Sequence, residues 1–121
     1  MNNGLNALAR EKGVLIAAHR GVAGGNIPCN TPVAYRAAID HGADIIELDV
    51  AISRDRKLFV FHPGMERPHL GCETAIKDMD SAEVEKLRFL NCVKKLIVTL
   101  TLHIYFSIFY LSKYIVTPII I

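Results

Sequence analysis

The chain has no tryptophan, and beyond Cys92 it has no aspartate, glutamate or glycine. All 12 acidic residues lie between Glu11 and Glu85, and the last of the 8 glycines is Gly71. After Cys92 the only charged side chains are Lys94, Lys95 and Lys113. Residues 1–92 therefore carry 11 basic groups against 12 acidic ones, and the remainder carries basic groups alone. This break in composition predicts two regions, 1–92 and 93–121. The whole chain has a formal charge of +2, with 51% hydrophobic and 21% charged residues, which excludes a disordered chain and a basic nucleic-acid-binding surface. Cysteine is scarce. Cys29, Cys72 and Cys92 are odd in number, widely spaced and without a C-x-x-C pair, which argues against a disulfide scaffold or a zinc ribbon. Free thiols in a reducing cytosol are expected. The start, Met1-Asn2-Asn3-Gly4, lacks the basic-then-apolar pattern of a signal peptide, so a cytoplasmic location is expected.

What is present reads as one small α/β domain. Val14 to Ala18 is a continuous apolar run, the pattern of a strand buried on both faces. A loop containing glycines, Gly21 to Pro28, follows. Asn30 or Thr31 can cap a helix that has Pro32 at its tolerated first turn. That helix runs to Asp40 with Val33, Ala37 and either Ala34 or Ala38 on one face, and Gly42 stops it. Ala43–Ile52 reads as a second strand, Ser53–Lys57 as a polar turn and Leu58–Phe61 as a third strand. Asp80 with Glu83 three residues on is a capping-box pattern. It opens a short helix whose apolar stripe is Val84, Leu87 and either Phe89 or Leu90. The turn between the second and third strands is too short for a crossover helix. An extended return through Val50–Arg56, at roughly 3.3 Å per residue, would allow a parallel pair. A hairpin is the alternative, and it is expected to hold His62 most of a strand length from Glu47 and Asp49.

Each apolar run ends in residues with chemistry, as the strands of parallel α/β proteins do at their carboxyl ends. Glu47 and Asp49 are two apart on a strand and share a face. Two carboxylates converging in apolar surroundings repel each other, and a hard divalent cation relieves this through oxygen ligands. The alternative is a solvated strand face. His19 and His62 flank this pair, and a histidine exchanges a proton near neutral pH. Arg20 offers a planar fork suited to phosphate. Taken singly, each is as readily a loop or surface residue. Together they supply a base, an acid and positive charge, the three requirements of phosphodiester cleavage. Gly21–Asn26 is not a dinucleotide fingerprint. His41 and His69 lack ligand partners at useful spacing and are expected at the surface.

The run His19-Arg20-Gly21, then Asn30-Thr31, then Gly42 to Val50, then Phe61-His62, resembles the opening of the glycerophosphodiester phosphodiesterases. The resemblance covers about residues 12 to 91. It implies the N-terminal portion of a TIM (β/α)₈ barrel, related to that of phosphatidylinositol-specific phospholipases C. It implies hydrolysis of small glycerophosphodiesters to glycerol 3-phosphate and an alcohol, assisted by Mg²⁺ or Ca²⁺. By the same resemblance His19 and His62 form the acid/base pair, Arg20 holds phosphate, and Glu47 and Asp49 bind metal. The chain departs from the family at Cys29, where a glutamate is usual, and at Pro63, where an aspartate is usual. The glutamate that serves the family as a further metal ligand on a later strand has no counterpart.

A complete barrel of this kind takes about 250 residues. Part of one leaves sheet edges and apolar faces uncovered, so this polypeptide alone is expected to be a poorly stable, inactive fragment. Three readings of the hydrophobic tail stay open: an out-of-frame or truncated product, a membrane segment around Leu96–Leu111, and native strand structure. The membrane reading makes the chain a non-catalytic, membrane-attached remnant with membrane contact through 96–121. A zinc module built from His19, His62 and a carboxylate is a further alternative.

Overall fold

The computed structural model describes residues 3–90, 96–99 and 115–120. Helix α1 (Asn3–Lys12) leads into strand β1 (Ala17–His19), helix α2 (Pro32–Asp40) and strands β2 (Ile45–Ile52) and β3 (Leu58–Val60). Short helices α3 (Glu66–Leu70) and α4 (Ser81–Val84) follow, separated by a 3₁₀ turn at Ile76–Asp78. Strands β4 (Arg88–Leu90), β5 (Leu96–Thr99) and β6 (Ile115–Ile120) complete the described elements. The chain is α/β, as the sequence predicts.

Strand β2 is the organiser. β1 lies parallel to its first half, with His19 opposite Glu47. β3 lies antiparallel to its second half, with Val50 opposite Val60 and Ile52 opposite Leu58. β6 runs parallel to it from Ile45 opposite Ile115 to Val50 opposite Ile120. Strand alternation then divides the side chains between two clusters. Ile46, Leu48 and Val50 pack with Val60 against Tyr35 and Ala38 of α2. Ala51 faces the other way and joins Phe59, Phe61, Leu70, Ile76, Met79, Val84 and Phe89 in a second core.

The hairpin corrects one expectation. The β2–β3 pair is antiparallel, yet it brings His62 in rather than holding it off. Two residues paired in a hairpin stay level however far the chain travels between them. The Phe61 N–H donates to the Asp49 carbonyl at 3.1 Å, so His62 leaves β3 at the height of the two carboxylates.

Other corrections are local. β1 starts at Ala17, not Val14, and Val14 and Ile16 are 78% and 57% exposed, so the apolar run is not buried on both faces. In α2 the buried positions are Ala34, Tyr35 and Ala38, while Val33 is exposed. Thr31 is the cap, its hydroxyl accepting from the Ala34 N–H at 3.3 Å. The Asp80–Glu83 capping box forms, but its helix ends at Val84 and the chain turns into β4, which carries Phe89 into the core as a strand residue. Helix α1 was not expected. Its signal is the stripe of half-buried Leu5, Leu8 and Ala9, closed by Gly13 at φ 75°. Lys12 at its end pairs with Asp44, whose carboxyl is held below the ordinary range by that ammonium and by the Ile16 N–H.

The hairpin turn is tied to α4 through Asp55. This carboxylate accepts from the Ser53 hydroxyl at 2.6 Å and from the Ser81 hydroxyl and N–H at 2.6 and 2.9 Å. Those bonds, that of Ser53 first, lower its pKa to about 2. A carboxyl whose folded pKa is depressed adds stability above its unfolded pKa, about 3.9, and the contribution disappears as pH falls towards the folded value. The tie is therefore expected to loosen between about pH 4 and pH 2. Carboxyl NMR titration should show Ser81→Ala moving the Asp55 midpoint upward; an unchanged midpoint would mean that Ser81 is not its partner.

Among the described residues no helix is long and apolar enough to cross a membrane. The tail readings fall on 91–95, 100–114 and 121, outside the described residues, apart from strands β5 and β6.

Candidate active site

Local backbone geometry builds the site. After β1 the chain reverses through two successive residues of positive φ, Arg20 at 60° and Gly21 at 79°. The left-handed region is costly for arginine and suits glycine. The reversal is held where the Arg20 N–H donates to the Glu47 carbonyl and to Glu47 Oε2, both at 3.1 Å, and where the Asn30 N–H donates to the Arg20 carbonyl at 3.0 Å. Gly21 is needed on a second count. A Cβ there would stand 2.7 Å from the Ala34 carbonyl carbon and oxygen in α2. Gly21→Ala is expected to cost more than the 1–2 kcal/mol of a left-handed residue. Gly25→Ala, at φ 56° with open space around it, should cost only about that much in urea melts. Equal losses would show that the contact with α2 is not felt.

The turn aims Arg20 at Asp49. Arg20 Nε is 2.8 Å from Asp49 Oδ2, an ion pair whose N–H is not aligned as a hydrogen bond. Asp49 is 2% exposed, and its Oδ2 also accepts from Asn30 Nδ2 at 2.8 Å. Asn30 Oδ1 in turn accepts from the Asp49 N–H at 3.3 Å and from the Tyr35 hydroxyl at 3.2 Å. Asn30 is thus a site residue, a role that its place beside the α2 cap does not reveal. Burial and then the Asp49 charge push the Tyr35 phenol upward, so it stays a donor. Burial likewise raises the Cys29 thiol against the opposing pull of Arg20, which keeps it an unreactive thiol.

His19 is largely exposed, with Nε2 3.8 Å from Glu47 Oε2. His62 is half-buried, and its Nδ1 is buried without a hydrogen-bond partner among the described residues. A buried polar atom left unpaired is costly. His69 corrects the surface expectation. It is half-buried, edge-on to Phe61 at 6.3 Å and 6.5 Å from Phe89. Burial first, then the charges of Arg20 and His62, lower its pKa. His41 is exposed, as expected.

Glu47 and Asp49 offer the hard oxygen donors that Mg²⁺ or Ca²⁺ takes. They do not form a finished site. No group of three His, Cys, Asp or Glu converges among the described residues, and Asp49 Oδ2 is already engaged by Arg20 and Asn30. The same observation leaves the zinc module without a ligand set.

Residues 19–111 match the glycerophosphoryl diester phosphodiesterase family. The chain belongs to that family. A glycerophosphodiester phosphodiesterase of Caldanaerobacter subterraneus subsp. tengcongensis is 40% identical over 73 residues, covering 60% of this chain and 30% of its own length. The crystal structure of glycerophosphodiester phosphodiesterase from Agrobacterium tumefaciens superposes with a TM-score of 0.56 at 35% identity, covering 61% of this chain and 31% of that one. A phosphodiesterase of Oleispira antarctica, solved with the product sn-glycerol-3-phosphate, gives a TM-score of 0.54 at 28% identity, over 61% of this chain and 30% of that one. The chain thus spans about a third of the length of these family members.

Proposed function

We propose that this site serves metal-dependent hydrolysis of a glycerophosphodiester to glycerol 3-phosphate and an alcohol. In this reading residues 1–92 are the opening part of the (β/α)₈ barrel, and the enzyme works in the cytoplasm, where Cys29 and Cys72 remain thiols. The observation that carries it is the meeting of Arg20, the Glu47–Asp49 pair and the unpartnered His62 Nδ1 at one level of β2. The product bound by the Oleispira antarctica phosphodiesterase supports the substrate class. Arg20, steadied by Asp49, presents its guanidinium to the phosphoryl oxygens. One of His19 and His62 takes the proton of the attacking hydroxyl or water, and the other returns a proton to the departing alkoxide. A divalent cation held by Glu47, Asp49 and a further oxygen ligand would add positive charge at the phosphoryl group. The 121 residues alone are read as an incomplete, inactive fragment.

The test is phosphorus NMR on a family-length protein carrying residues 12–91 of this chain. Glycerol 3-phosphate should appear with Mg²⁺ or Ca²⁺ and stop appearing on chelation. No release under either metal would overturn the assignment.

A further inference from the structure

We infer that Tyr35 is a positioning residue of the candidate active site: through Asn30 and Asp49, its buried hydroxyl sets how Arg20 is held. The placement stands on the geometry of these four residues, and its use in turnover rests on the phosphodiester reading.

Three short links connect Tyr35 to Arg20. The Tyr35 hydroxyl donates to Asn30 Oδ1 at 3.2 Å. Asn30 Nδ2 donates to Asp49 Oδ2 at 2.8 Å, and the same oxygen lies 2.8 Å from Arg20 Nε. The helix makes the first link possible. Side chains lean towards the N-terminus of a helix, so Tyr35, in the first turn of α2, reaches back to Asn30, just before the Thr31 cap. Asn30 has φ 57°, a left-handed conformation that asparagine tolerates better than most residues. Its own N–H donates to the Arg20 carbonyl at 3.0 Å, so one residue grips Arg20 by its backbone and Asp49 by its side chain.

An amide can be turned either way, and its partners decide. A flipped Asn30 would set Nδ2 against two donors, the Asp49 N–H and the Tyr35 hydroxyl, and Oδ1 against a carboxylate. The two side-chain bonds to Asp49 fix that pair to each other, not to the body of the protein. The bond from Tyr35 is the outside reference. Its ring is 5% exposed and belongs to the core between α2 and β2 with Ala38, Ile46 and Val60. A hydroxyl donating to Oδ1 also polarises the amide and strengthens the bond from Nδ2 to Asp49.

The test is NMR of the Arg20 Nε–H in the 121-residue chain, without substrate. Tyr35→Phe keeps the ring and removes the hydroxyl alone. Exchange of the Arg20 Nε–H with water should quicken about two- to tenfold, the scale of one hydrogen bond, while the Ala38 and Val60 amides keep their shifts. Asn30→Gly keeps the left-handed backbone and removes the amide. It should quicken the exchange by itself, and adding Tyr35→Phe to it should change nothing further. Unchanged Arg20 exchange in Tyr35→Phe, an equal disturbance of the core amides, or additive effects of the two substitutions would overturn the inference. If the glycine variant does not fold, the Tyr35→Phe result decides alone. No substrate is involved, so the inference can fail while a family-length protein still releases glycerol 3-phosphate. Faster Arg20 exchange, with no such release, would keep Tyr35 as the residue that orients Arg20 and remove the phosphodiester reading.

Discussion

Asp49→Ala is expected to cost the fold about 3–5 kcal/mol, the penalty of breaking a buried ion pair from one side. Two groups lose their partner at once. Arg20 keeps its charge with only 21% of its side chain exposed, and Asn30 Nδ2 loses its acceptor. Small domains hold about 5–15 kcal/mol in total, so the variant should sit near the edge of folding. Denaturant melts check this, with Asp49→Asn as the milder comparison because it keeps an oxygen for Asn30. A loss below about 1 kcal/mol for the alanine variant would mean that Asp49 is not the hub of the site.

His62→Ala is expected to lower the turnover of a family-length protein a hundred- to ten-thousandfold, the usual contribution of a positioned acid or base. The fold should be little affected. The Nδ1 atom contributes no hydrogen bond among the described residues, so its removal leaves no partner stranded. The pairing of mild structural cost with severe kinetic cost separates this residue from Asp49. Measuring kcat and the melting midpoint on the same preparation makes the comparison. Unchanged kcat would take His62 out of the acid/base pair.

Much of this arrangement was legible in the sequence because its signals are local. Apolar runs mark β2 and β3, Thr31 caps α2, and the two-residue spacing of Glu47 and Asp49 fixes their common face. Family membership followed from the same residues in order. What escaped depended on contacts between distant segments. Asn30 looks like a cap when only its neighbours are considered, and its role appears only once β2 lies beside it. His69 looks like a surface residue until α3 lays it on Phe61. The level at which His62 meets the carboxylates is a matter of hairpin register, which is set by the Val50–Val60 pairing rather than by the length of the turn. Val14 and Ile16 read as buried because hydrophobicity along a strand does not say which edges are covered.

The two cores on opposite sides of β2 have a consequence for how the molecule comes apart. One is built on α2, the other on α3, α4 and β4, and they share the same short ribbon of backbone. Each can act as its own cooperative unit, with β2 as the hinge pin between them. Amide exchange should then divide into two blocks of differing protection. The slowest amides should be those of Ile46 to Val50, which open only when both blocks have let go. Glu47 and Asp49 lie along that same ribbon, so the carboxylate pair is seated on the last part of the protein to unfold.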